Sequence, residues 1–207
     1  MNIKFDLNKK IKMIGNIAIA LVVPVIIILL WQVLSDKGLV KQSVLPSPHT
    51  IFLAFINMVK SGDLARNLSI SILRVVKGYC IGASLGIICG ILIGLFRIAE
   101  KAVDLLIGFL RPIPIVAWVP VLILWMGIDE ASKITVIVIG SFWPILINTI
   151  YGIKGADKKY LEVSEILEKN KLEVLTKIVF PSALPSIFTG LRIGIGSAWM
   201  SVITAEI

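Results

Sequence analysis

The sequence predicts an all-α protein, a polytopic bundle of transmembrane helices. Three observations carry that expectation. Of its 207 residues, 57% are hydrophobic and only 16% are charged, whereas soluble domains average about 45–50% apolar and about 25% charged. The apolar residues gather in five runs, and a helix needs roughly 20 apolar residues to cross a hydrocarbon core about 30 Å thick. The lysines and arginines fall mostly between these runs, weighted to alternate sides. A chain this apolar is not disordered. Two Cys and one His are little material for a disulfide framework or a zinc site.

Residues 1–13 form a basic N-terminus carrying Lys4, Lys9, Lys10 and Lys12. Residues 14–34 form an anchor helix whose polar members are Asn16 and Gln32. A secretory signal has a shorter apolar core, and no small-x-small cleavage site follows here. Trp31 stands where an interfacial aromatic belongs. Residues 35–69 form an external segment. Leu45-Pro46-Ser47-Pro48 is held extended by its prolines. From Thr50 to Lys60 the apolar residues Ile51, Phe52, Phe55, Ile56 and Val59 follow helical spacing, suited to lying on the membrane surface or against the spans. Ser61-Gly62-Asp63 ends it.

Residues 70–207 form the core domain. Its first run, Ile70 to Phe96, begins with Arg74 and Lys77, whose long side chains are expected to snorkel to the interface. Val103 to Met126 contains Arg111, Pro112, Pro114 and Pro120 and cannot be one straight helix. Ile134 to Tyr151 is the next span. Leu184 to Ile203, carrying Arg192, is the fifth.

The basic residues orient these spans. Twelve fall on the side of the N-terminus: four there, Arg97 and Lys101, and six lysines from Lys154 to Lys177. Seven fall on the other side, and Arg111 and Arg192 lie within spans. The excess places the N-terminus and the loop 154–181 in the cytoplasm. The net charge of +8 is thus a topology signal. No basic patch interleaved with aromatics lies on a soluble domain, so nucleic-acid binding is not expected. Five spans from a cytoplasmic start place the C-terminus outside, and Ala205-Glu206-Ile207 adds no polar tail, so a sixth span is expected beyond it.

The loop 154–181 reads as two short amphipathic helices. Asp157 caps the first, and Tyr160, Leu161, Val163, Ser164 and Leu167 share its face. Asn170-x-x-Glu173 has the form of a capping box opening the second. Leu172, Leu175, Thr176 and Val179 share a face of that helix. Pro181 and Pro185 mark the return into the membrane. Such a loop is either an ordinary interfacial turn or a docking element whose apolar face enters a groove on a soluble partner.

The loop resembles the Glu-Ala-Ala motif of ABC-transporter permeases that depend on a binding protein. In that motif three residues separate Glu-Ala-Ala from a Gly, and nine more lead to Ile-x-Leu-Pro. Here Glu162, Ile178 and Pro181 match in identity and spacing. Val163 and Ser164 replace the small pair, Glu168 replaces the Gly and Phe180 replaces the Leu. With the Gly lost, Asn170 is expected to take the left-handed turn. Further matches are Leu45-Pro46-Ser47-Pro48, Leu110 to Pro114, Leu124 to Gly127, Phe142 to Thr149 and Gly190 to Gly194. Together they resemble the branch importing nitrate, taurine and aliphatic sulfonates, or precursors of thiamine or riboflavin.

The resemblance implies the type I importer permease fold and a homodimer of permease subunits in the lipid bilayer. It also implies a separate ABC ATPase docked on the loop through Glu162, Val163, Ser164, Leu167, Glu168, Ile178, Phe180 and Pro181. An external substrate-binding protein would deliver the solute. The chain has no Gly-x-x-x-x-Gly-Lys-Ser/Thr segment, so ATP is expected on the partner and no cofactor on this chain.

Gly82, Gly86, Gly90 and Gly94 recur every fourth residue, and Gly190, Gly194 and Ala198 repeat the pattern. Such stripes allow close helix packing and, alternatively, a sliding surface. Ionisable and polar groups within spans are candidates for the translocation path: Arg111, Ser141, Asn148, Arg192 and Ser197. Each can equally serve structure. Trp118, Trp125, Trp143 and Trp199 read as packing or lipid-facing residues, His49 as a loop residue, and Cys80 and Cys89 as packing. An intramembrane enzyme would need a nucleophile–base pair or metal cluster, which one His and scarce carboxylates do not supply. A stand-alone channel or secondary carrier would not need the paired helices of the loop.

Overall fold

The computed structural model describes residues 3–39 and 41–206. The side chains of residues 3–18, Lys158, Leu161 and Glu165 fall outside that description, so Leu161 and the N-terminal lysines are not placed. The described residues form helices and connecting turns, with no strand among them. Four helices are long and apolar enough to cross a membrane, and a bent pair brings the number to five if it counts as one span.

The chain divides into two compact units, residues 1–67 and 68–207. In the first, α1 (Ile3–Asp36) contains the run expected to be the anchor, and its Ile19–Asp36 part is long and apolar enough to cross a membrane. Helix α2 (Pro48–Ser61) forms where the apolar spacing places a helix. The Ser47 hydroxyl accepts from the Thr50 amide at 3.3 Å, and Pro48 occupies the first turn, where a missing N–H costs nothing. His49 lies in that turn rather than in a loop, and its amide donates to Gln32 Oε1 at 3.1 Å. Gly62 closes the helix at φ 77°, a geometry that L side chains avoid.

The second unit is organised on α6 (Glu130–Lys154), which holds most of the fully buried side chains. Both α3 (Asp63–Leu95) and α9 (Phe180–Glu206) pack on it, and they also touch each other, the Tyr79 hydroxyl donating to the Leu191 carbonyl at 3.0 Å. A Cβ added to Gly78, Gly86, Gly90 or Gly94 would stand 2.6–3.0 Å from Ile137, Ile145, Thr149 or Ile153 in turn, and one added to Gly82 would strike the Ser141 hydroxyl. Both sets advance by four, so α3 and α6 run parallel, with every small residue opposite a bulkier one. Against α9 the order reverses. Gly190 meets Asn148, Gly194 meets Ile145, and Gly140 meets Ser201, so α9 is antiparallel. The glycine stripes are therefore packing seams, and Gly78 extends the first one.

Arg74 differs from expectation: it does not snorkel into water, and its side chain is 14% exposed and paired with Glu130 and Glu206. The stretch Val103–Met126 is not one straight helix, as its prolines lead one to expect. It divides into α4 (Arg97–Leu110) and α5 (Ile115–Met126), which meet at 99°. Pro112 and Pro114 donate no amide hydrogen bonds, so neither can continue the ladder of α4 beyond Arg111. Alone, the 12 residues of α5 reach only about 18 Å. By contrast Pro120, Pro144 and Pro185 sit inside helices.

Candidate transport path and docking loop

The break between α4 and α5 builds the first site. Arg111 caps α4, its amide donating to the Ile107 carbonyl at 3.0 Å, and it lines two cavities. One, of about 710 Å³, lies at the Lys154 end of α6 and includes Glu100, Asp104, Tyr151 and Lys154 in its wall. Lys154 there forms an ion pair with Glu100. The other, of about 480 Å³, is walled by α6 and α9 through Ile139, Trp143, Ser197, Met200 and Ser201. Among the described residues, Arg111 is the one charged residue lining this second cavity. A single cation on a mostly apolar wall, where water screens poorly, attracts anions and rejects cations. The indole N–H of Trp143 is buried without a hydrogen-bond partner among the described residues.

Of the path candidates, the structure brings Arg111 and Ser197 to one cavity and leaves the other three out. Ser141 is fully buried in the α3–α6 seam, donating to the Ile137 carbonyl at 2.9 Å. Asn148 donates to the Pro144 carbonyl at 2.8 Å and packs under Gly190. Arg192 is exposed on α9 and lines neither cavity. Sequence reasoning missed Glu100, Asp104, Lys154, Met200 and Ser201. The four-residue spacing of Glu100 and Asp104, which puts them on one helical face, is the signal that could have found them.

The second site is the loop. Helix α7 (Lys158–Ile166) is opened by Asp157, whose carboxylate accepts from the Lys159 amide at 2.9 Å. It closes at Glu168, which takes φ 49°, while the Lys169 amide donates to the Ser164 carbonyl at 3.0 Å. That six-to-one bond with a left-handed residue is a Schellman closure. The turn thus stays where the motif places its Gly, and a non-glycine residue holds it. Asn170 does not take the left-handed geometry. It lies extended at φ −61°, ψ 140° and caps α8 (Lys171–Val174), accepting from the Leu172 amide at 3.4 Å. Glu173 pairs with Lys177 at 2.9 Å and with Lys169 at 3.7 Å.

The second loop helix is not separate from the last span. Helix α8 passes through a π-helical turn, Leu175–Val179, directly into α9, giving one helical run, Lys171–Glu206. Pro181 explains the wider turn. It has no N–H for the Lys177 carbonyl and its ring crowds that carbonyl, so Phe180 donates instead to Leu175, five residues back. The buried face is correspondingly rotated. Val179 is buried with Ile153, Ala156, Ala183 and Ile187, and Val174 and Leu175 pack on it, while Leu172 and Thr176 face out. Between α7 and α8 lies an apolar groove of about 190 Å³ lined by Tyr160, Val163, Ser164, Leu167, Val174 and Ile178 and rimmed by Lys169, Glu173 and Lys177. Ser164 is buried and Val163 is exposed, so only the second position of the pair must be small. Glu162 is exposed, as is Pro181, and Phe180 is half-buried.

Residues 82–207 match the family described as binding-protein-dependent transport system inner membrane components. SsuC of Bacillus subtilis, named as an aliphatic sulfonates transport permease protein, is 42% identical over 187 residues, 90% of this chain and 68% of its own length. An ABC transporter permease protein of Methanocaldococcus jannaschii is 37% identical over all of this chain and 78% of its own. CmpB of Synechocystis, named as a bicarbonate transport system permease protein, is 40% identical over 87% of this chain and 67% of its own. With a polytopic helical core, parallel and antiparallel glycine seams and a paired-helix loop, the chain belongs to the inner-membrane permease subunits of binding-protein-dependent ABC transport systems, and its role is transport rather than catalysis.

Proposed function

We propose that this subunit moves a small oxyanion, of the sulfonate, nitrate or bicarbonate kind, across the membrane past Arg111. The carrying observation is that Arg111 is, among the described residues, the one charged residue on the wall of the second cavity and also lines the cavity at the Lys154 end. A solute in the cavity walled by α6 and α9 would meet one guanidinium and hydroxyls from Ser197 and Ser201. In the cavity at the Lys154 end it would meet Lys154, already shared with Glu100, and the Asp104 carboxylate. That order of fields binds an anion within the bilayer and weakens its hold near the exit. The names of the sulfonate and bicarbonate relatives support the same substrate class.

The energy for the movement comes from a separate ATPase seated on the α7–α8 groove, and the solute comes from an external binding protein. Two permease subunits form the pore. The N-terminus and loop 154–181 face the cytoplasm in this reading, which the lysine excess supports. The test is Arg111→Gln in the reconstituted transporter. Uptake of a sulfonate or bicarbonate is expected to fall by about ten- to a hundredfold, the scale of a lost charge-assisted contact, with the ATPase still bound. Unchanged anion uptake would remove Arg111 from the path.

A further inference from the structure

We propose that Arg74 is a positioning residue for coupled transport, pinning the ends of α3, α6 and α9 that lie opposite the docking loop. Its three guanidinium nitrogens are all committed. Nε donates to Glu130 Oε2 at 2.7 Å and Nη2 to Glu130 Oε1, a two-pronged contact on the first residue of α6. Nη1 donates to Glu206 Oε1 at 2.8 Å, on the last turn of α9, and the Ser71 hydroxyl donates to the same oxygen at 2.7 Å. One side chain of α3 therefore fixes two other helices in depth and rotation. A planar fork does this where an ammonium would make a single point contact.

What the pin controls follows from the continuity of Lys171–Glu206. The helical run held at Glu206 also carries the docking groove at its other end, through the π turn Leu175–Val179. Ser197 and Ser201, on the α9 wall of the Arg111 cavity, lie between the two. Ser201 is five residues, about 7.5 Å of helix, from the pin. A displacement imposed at the groove turns α9 about a held end and changes the distance from these hydroxyls to Arg111. With the end released, the same displacement shifts α9 as a whole and is not converted into a change at the cavity. The inference rests on the transport reading above.

The experiment uses the complete transporter with its ATPase and binding protein, reconstituted with ATP inside vesicles. Arg74→Gln is expected to lower solute moved per ATP hydrolysed by about tenfold, within the range of ordinary coupling energies, without changing the half-saturating concentration of loaded binding protein. Arg74→Lys should recover part of the loss. A second variant covers the case in which Arg74→Gln does not assemble. Ser71→Cys with Glu206→Cys, in a background lacking Cys80 and Cys89, replaces one arm of the pin by a bond that can be made and broken. Oxidised, it should be better coupled than reduced. Equal or poorer coupling when oxidised, or an unchanged uptake-to-ATP ratio in Arg74→Gln, would overturn the proposal. Absence of ATP-driven uptake in the unsubstituted transporter would instead count against the transport reading itself.

Discussion

Gly90 of α3 and Thr149 of α6 are in such close contact that a Cβ on Gly90 would stand 2.6 Å from the Thr149 Cβ. Thr149 is fully buried, and its hydroxyl donates to the Ile145 carbonyl at 2.8 Å. The polar atom is thus satisfied within its own helix, and the methyl group fills the space the glycine leaves. In a bilayer, where water release adds little between helices, such close packing is the main attraction available.

Gly90→Val should therefore destabilise the core. Forced overpacking costs about 1–3 kcal/mol, and at least that is expected where the contact is Cβ to Cβ and neither helix can yield without moving its neighbour. Gly108 in α4 has nothing within 4 Å of an added Cβ, so Gly108→Ala should leave stability unchanged or raise it slightly. Thermal unfolding of both variants in detergent checks this. Equal midpoints would mean that the seam is loose.

A second prediction concerns Glu168. A left-handed L-residue costs roughly 1–2 kcal/mol, and Gly pays about 0.5–1 kcal/mol in backbone freedom. Glu168→Gly should accordingly be neutral to slightly stabilising, whereas Glu168→Val should open the α7–α8 turn. The rate of protease cleavage in the loop reports on both. Faster cleavage of the Gly variant would show that the Glu168 side chain contributes to the turn beyond its strain.

The same residue marks how far sequence reasoning reaches. Apolar runs make the spans legible, because roughly 20 residues of uniform chemistry leave little choice of structure. The glycine stripe is legible for the same reason, since a repeat of four is a helix face. Glu168 is harder to read. Its side chain gives no sign of φ 49°, and Asn170, the residue type best suited to that geometry, instead uses its side chain as a cap. Arg74 is hidden for a different reason. Its partners Glu130 and Glu206 are 56 and 132 residues away, and nothing local distinguishes a pinned arginine from a snorkelling one. The cavities are least legible, because Arg111, Ser197 and Ser201 meet only through the 99° bend between α4 and α5 and the antiparallel register of α9.

Glu162 tests the docking loop. It is exposed on α7 beside a groove whose apolar residues include Val163, Leu167 and Ile178. On the proposed docking, Glu162→Lys would place a cation where the partner is expected to meet a carboxylate, and like-charge contact at an interface costs several kcal/mol. The variant should insert in the membrane normally and lose its ATPase on co-purification. An ATPase retained at the unsubstituted level, with normal uptake, would remove the loop from that role.

Uptake of a labelled sulfonate or bicarbonate into vesicles bearing the complete transporter tests the central claim most directly. Accumulation is expected only with ATP on the side of loop 154–181 and the loaded binding protein on the other, and Arg111→Gln should abolish most of it. Equal uptake with ATP or the ATPase left out would show a channel or a secondary carrier and contradict the account.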